Sequence, residues 1–160
     1  MKATTLTIAT LIAAVTASAA DPVSPADVMF NDHFGVEASL TGSPGDPVKG
    51  REVFSSRSLG NCVACHTVTE MIEDVDWHGN VGPSLDGVAD RWEEADLRGI
   101  VVNAKNIYDG TIMPAFYKTT GFIRPGEGYT TKAASEPLPP ILSAEQIEDI
   151  IAYLMTLKDS

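Results

Sequence analysis

Cysteine is scarce: Cys62 and Cys65 are the whole supply in 160 residues. With two positions between them, a bond joining them would close one tight loop and staple almost nothing, so a disulfide framework is excluded as the source of stability. Basic residues are few as well, 11 against 22 acidic ones, for a formal net charge of −11. A chain so charged repels nucleic acid and anionic membrane surfaces, which removes those partners. Beyond residue 20 no segment is apolar for long enough to span a bilayer. Internal repeats and the alternating runs of half-buried strands are missing too, which leaves a mostly α, loop-rich domain.

What is present begins with an apolar leader. Lys2 is the one charge before Asp21, "LTIATLIAAV" follows it, and "TASAA" ends in small residues. Residues 1–20 read as a secretory signal cleaved after Ala19 or Ala20. A retained anchor is the rival, because the uncharged run from Ala3 to Ala20 approaches the roughly 18 to 20 residues that span a bilayer. Its Ala/Thr-rich, weakly apolar character and the lack of a flanking charge after it speak for cleavage and against an anchor. Removal of Lys2 with the leader takes the formal charge from −11 to −12. The acidic clusters Glu70/Glu73/Asp74/Asp76 and Glu93/Glu94/Asp96 suit either a solubilising surface or guidance of a basic partner.

The remainder, 44% hydrophobic and 21% charged over the whole chain, suits a single domain. Residues 21–47 carry four prolines and read as an arm over the surface of a domain formed by residues 48–160. "GDPVKGREVFSS" starts a helix, with Asp46 as cap, Pro47 in the first turn, and Val48, Val53 and Phe54 on one face. "WHGNVGPSLDGVAD" is loop chemistry. "EEADLRGIVVNAK" is a helix with acidic residues early and Lys105 late, the order the helix dipole favours. The final helix is the clearest: Ser143 caps, Gln146 completes a capping box, and Ile147, Ile150, Ile151, Leu154 and Met155 recur at helical spacing. Before it, residues 116–142 form a long aperiodic excursion with four prolines, of the kind that is usually functional or touches a partner.

Both cysteines fall in "GNCVACHTV". Cys62-Val63-Ala64-Cys65-His66 admits four readings: a disulfide, half a zinc site, a redox-active thiol pair, or attachment of c-type haem. Zinc needs four ligands, and outside the motif only His33 and His78 remain as nitrogen donors, with no second cysteine pair. A thioredoxin-like pair belongs to a βαβ pattern, which is absent. Context favours haem, with Cys62 and Cys65 as thioether links and His66 as proximal iron ligand.

An electron carrier generally needs a sixth ligand as well. Met29 lies in the arm, Met71 is five positions after His66, and Met155 sits on the apolar stripe of the last helix. Met113, 47 positions after His66 and followed by Pro114, is the candidate for a His66/Met113 pair. His33 or His78 would instead give a bis-histidine iron.

"CVACH", "GPSLDG" (Gly82 to Gly87), Met113-Pro114 and a last helix bearing Tyr153 together resemble class I cytochromes c over residues 48–158. In that family a glycine and an aromatic of the first helix pack on an aromatic of the last; Gly50, Phe54 and Tyr153 match. The family's Gly-Pro segment offers its proline carbonyl to the proximal histidine, so the resemblance puts Pro83 behind His66. More narrowly, "LRGIVVNAKNIYDGTIMPAFY" and "ILSAEQIEDIIAYLMTLK", with the arm and the long excursion, resemble the SoxX family, monohaem subunits of SoxAX cytochromes of sulfur-oxidising bacteria.

That resemblance implies a periplasmic heterodimer with SoxA, one covalent haem c with His/Met ligation, and electron transfer to a downstream cytochrome. It assigns the sulfur chemistry, conjugation of thiosulfate to a cysteine of the SoxYZ carrier, to the SoxA haem, so no catalytic residue is expected here. Phe30, Phe34, Phe116, Tyr117, Phe122, Ile123 and Tyr129 are candidate contacts with SoxA or simple packing. Arg91, Trp92 and Tyr117 are candidates for the haem propionates. A free-standing soluble monohaem cytochrome shares every haem residue and differs in its partner, having no need of arm or excursion. An enzyme or gas sensor with a labile methionine is the reading from another class.

Overall fold

The computed structural model describes residues 21–123, 125–126, 130–134 and 137–159. The leader with its cleavage site, and Tyr129, lie outside the described residues. Among the described residues four helices, α1 (Pro47–Ser55), α2 (Val88–Arg91), α3 (Glu94–Asn103) and α4 (Ala144–Leu154), are joined by loops and by 3-10 turns at Cys62–Ala64, Thr69–Met71 and Ala104–Asn106. Among the described residues the β pairing amounts to an isolated antiparallel bridge between Gly126 and Ala133.

Helix α1 starts where its first residues dictate. The Asp46 carboxylate accepts from the Val48 and Lys49 amides, and Pro47 fills a position whose N–H would go unused. Gly50, Val53 and Phe54 are buried. Val48, expected on that face, is 69% exposed; five residues are not a whole number of turns of about 3.6 residues, so Val48 and Val53 diverge. Helix α4 has the full capping box, with Ser143 Oγ accepting from the Gln146 amide and the Gln146 side chain accepting from the Ser143 amide. Its apolar stripe of Ile147, Ile150, Ile151 and Leu154 is buried.

That stripe meets α1 at very short range. A Cβ on Gly50 would stand 1.9 Å from the Asp149 carbonyl oxygen and 2.8 Å from Tyr153 Cβ, so only glycine lets the two backbones touch. One turn on, Phe54 and Tyr153 pack edge to face with centroids 5.5 Å apart and planes at 64°. The Tyr153 hydroxyl donates to Glu70 Oε1 at 2.8 Å. Burial, and then the Glu70 carboxylate, push the Tyr153 phenol above its ordinary range. Gly50→Ala is therefore expected to lower stability by about 1–3 kcal/mol through overpacking, read from the thermal midpoint; an unchanged midpoint would refute this close packing.

The arm is woven into the core, and Val36 and Leu40 are among its buried residues. Beneath it lie Arg98 of α3 and Glu148 of α4, each 3% exposed. Arg98 Nε donates to Glu148 Oε1 at 2.9 Å and Nη2 to Oε2 at 3.2 Å. Arg98 Nη1 also donates to the Val36 carbonyl at 2.8 Å, and Nη2 to Glu94. Glu148 Oε1 in turn accepts the Leu40 amide at 2.9 Å. One buried ion pair thus ties arm, α3 and α4 together.

Phe116 and Tyr117 are internal rather than partner-facing. Both are buried, their amides bond to the carbonyls of Val101 and Val102, and the Tyr117 hydroxyl donates to the Val23 carbonyl. Phe30 packs partly buried against the core. Phe34, Phe122 and above all Ile123, 97% exposed, stay outside.

Candidate functional site

The cysteine motif hangs directly from the end of α1. Gly60 N donates to the Val53 carbonyl and Asn61 N to that of Ser56, turning the chain back on the helix. Asn61 takes left-handed dihedrals (φ 48°), which asparagine tolerates better than most residues. In the turn that follows, the Cys65 and His66 amides both donate to the Cys62 carbonyl, at 3.1 and 2.9 Å. This single turn groups the two cysteines with the histidine while Val63 is buried. The thiols are unpaired. Burial, the largest influence on Cys62, pushes its thiol up to about 12, the reverse of the lowered value a redox-active thiol requires.

His66 Nδ1 lies 2.8 Å from the Pro83 carbonyl oxygen. A carbonyl can only accept, so Nδ1 carries a proton, and in the neutral ring the free lone pair is on Nε2. The loop bearing Pro83 must come very close for this bond. A Cβ on Gly82 would fall 2.3 Å from His66 Cε1, inside the ring's own contact surface. Gly82 also donates its amide to the Cys65 carbonyl at 2.8 Å.

Behind this bond the two chain segments are stapled side by side. Asp86 accepts the Thr69 amide at 2.8 Å, the Thr69 hydroxyl at 2.7 Å and the Ser84 hydroxyl at 2.9 Å. The Leu85 amide donates to the Thr67 carbonyl at 3.0 Å. Arg91 of α2 donates to the carbonyls of Asp86 and Ser84 at 2.6 and 3.1 Å. The Thr69 amide, foremost among these partners, holds the Asp86 carboxyl below its ordinary range, so it stays ionised at neutral pH. Motif reading includes Ser84 and Asp86 in "GPSLDG" but does not mark Thr69, since a short polar residue in a loop looks the same whether or not it finds a distant partner. Of the propionate candidates, Arg91 and Tyr117 donate to backbone carbonyls, while Trp92 is 37% exposed.

Met113 is partly buried against the main core. It follows the 76% exposed Ile112, and its amide bonds to Thr111 Oγ1 at 3.2 Å. Met29 is 81% exposed and Met71 wholly buried. His33 is exposed on the arm. His78 accepts the Val68 amide at Nδ1, at 3.5 Å, and its Nε2 is buried with no hydrogen-bond partner. No group of three or more His, Cys, Asp or Glu side chains among the described residues is placed to hold a metal ion. An acidic cleft of about 420 Å³ between Glu37, Glu93, Glu94, Asp96 and Arg98 belongs to the ion-pair knot rather than to the motif.

The residues present fit a covalently held haem. Two unpaired thiols share a turn with an imidazole whose one nitrogen is already committed, and the glycine beside the ring leaves it room. No helix among the described residues is long and apolar enough to cross a membrane.

Comparison with known proteins agrees with this chemistry. Residues 47–158 match the cytochrome c family model. A chain in the crystal structure of SoxXA from P. pantotrophus is 53% identical, with a TM-score of 0.81 over 86% of this chain and 99% of the other. The c-type cytochrome SorU from Sinorhizobium meliloti is 26% identical, covering 70% of this chain and 90% of its own, with a TM-score of 0.42. No curated protein sequence matched the chain.

Proposed function

The chain belongs to the cytochrome c family and, within it, to the SoxX group, and on that premise we propose that it is the periplasmic electron-transfer subunit of a SoxAX heterodimer. Its fold is that of class I cytochromes c, its cofactor is covalent haem c, and its task is electron transfer. In the proposed division of labour, residues 1–20 direct export and are removed, residues 21–47 form the arm, and residues 48–160 carry one haem. SoxA conjugates thiosulfate to a cysteine of SoxYZ, and this chain passes the electrons to a downstream cytochrome.

The observation that carries the reading is the bond from His66 Nδ1 to the Pro83 carbonyl, with both thiols of the same turn unpaired. Haem, when bound, supplies the one-electron chemistry. Cys62 and Cys65 would hold it by thioether links, which would leave no thiol to bind a sulfur substrate. His66 would offer Nε2 to the iron, because the Pro83 carbonyl holds the proton on Nδ1 and orients the ring. Met113 would hold the iron as a second ligand through its thioether, which would leave no position for a small molecule. The same saturation argues against a sensor or an oxygen-activating enzyme.

Periplasmic co-expression with SoxA tests the assignment. The two chains are expected to elute together at a 1:1 ratio, each with its haem. Elution of this chain as a free monomer would refute the heterodimer and leave a free-standing shuttle.

A further inference from the structure

Residues 67–69 and 84–86 are tied to one another by several side-chain and backbone bonds. Residues 67–69 run into the 3-10 turn Thr69–Met71 and residues 84–86 lead to α2, with corresponding positions 17 apart. Here a single carboxylate takes three hydrogen bonds, two from Thr69 and one from Ser84. Thr69 follows His66 by three positions, and Asp86 follows Pro83 by three. Two further bonds between the segments lie on the way: the Leu85 amide to the Thr67 carbonyl, and the Ser84 hydroxyl to the same carbonyl at 3.4 Å. The rung that begins this short ladder is His66 Nδ1 to Pro83 O.

We propose that Asp86 is a positioning residue for the proximal histidine, setting the length and angle of the His66–Pro83 hydrogen bond by locking residues 67–69 in register with residues 84–86. Arg91 braces the same loop from outside, since its guanidinium spans the carbonyls of Ser84 and Asp86. The proposal rests on His66 being an iron ligand. A strong bond at Nδ1 makes the imidazole more basic, and a more basic ligand stabilises oxidised iron. Loss of the staple therefore loosens the bond and raises the reduction potential.

The experiment uses full-length protein exported and loaded with haem. Exchange of the His66 Nδ1 proton with solvent is followed by NMR in the reduced state, beside a potentiometric titration. Asp86→Ala is expected to speed the exchange about tenfold or more and to move the potential upward. Ser143→Ala, which removes the distant cap of α4, serves as the control: it lowers the thermal midpoint and leaves both readouts where they were. If Asp86→Ala lowers the midpoint with exchange and potential unchanged, Asp86 is only a brace and the proposal fails.

Should Asp86→Ala not mature, Thr69→Val and Ser84→Ala each remove one bond to the carboxylate. Each is expected to shift both readouts part of the way, and no shift in either overturns the proposal. The ligand assignment fails separately. A His66 ring without the large ring-current shifts of a haem ligand in the unmodified protein would remove that premise, whatever Asp86 does.

Discussion

Met113→Leu is expected to abolish the near-infrared sulfur-to-iron absorption band of the oxidised protein and to lower its reduction potential. The fall should be a substantial share of the ~0.8 V range over which axial ligation tunes haem iron, because thioether ligation raises the potential. Leucine has nearly the same volume as methionine, and the side chain is only partly buried. The cost in stability should therefore stay below about 1.5 kcal/mol. Loss of the band with the fold intact separates ligation from packing. An unmodified protein lacking the band would displace Met113 and bring forward His78, whose Nε2 has no partner.

The second large effect lies far from the haem motif. Arg98→Ala leaves Glu148 buried without its counter-charge and frees the Val36 carbonyl, and removing one partner of a buried pair typically costs about 3–5 kcal/mol. Set against a total of roughly 5–15 kcal/mol for a domain, that is enough to unfold much of the population on mild heating. Substitution of both partners by apolar residues is often harmless elsewhere. Here it should still cost about 1–3 kcal/mol for each backbone group left unsatisfied, because the Leu40 amide and the Val36 carbonyl bond only to this pair's side chains in the described network. Denaturant midpoints of the holoprotein decide the matter; a loss under about 1 kcal/mol for Arg98→Ala would show the pair to be dispensable.

These two sites were not equally legible in the chain. Cys62, Cys65 and His66 announce themselves because the haem-attachment pattern lies within one turn of chain. Asp46-Pro47 and Ser143 with Gln146 are visible for a similar reason, since a cap acts on amides two or three residues away. Arg98 and Glu148 stand 50 residues apart, each on a helix rich in charge, and nothing local tells a buried charge from a solvated one. Helix α2 leaves no mark in its glycine-rich surroundings, because four residues complete barely one turn and show no period. Asp86 is plain in "GPSLDG", yet its chief partner, the Thr69 amide, is a backbone group that no residue pattern marks. Pro83 came by family resemblance, and the 2.8 Å bond gives that expectation a physical basis.

The ion-pair knot also bears on the order in which the molecule can close. Leu40 and Glu148 are 108 positions apart, and Asp46 and Asp149 are 103 apart. A chain leaving the ribosome or a translocation pore from its N-terminus presents the arm, α1 and the cysteine turn long before α4 arrives to cover them. Contacts of such sequence separation form late. The cysteine turn therefore stays uncovered throughout that interval, and α4 shuts the structure once its residues are in place.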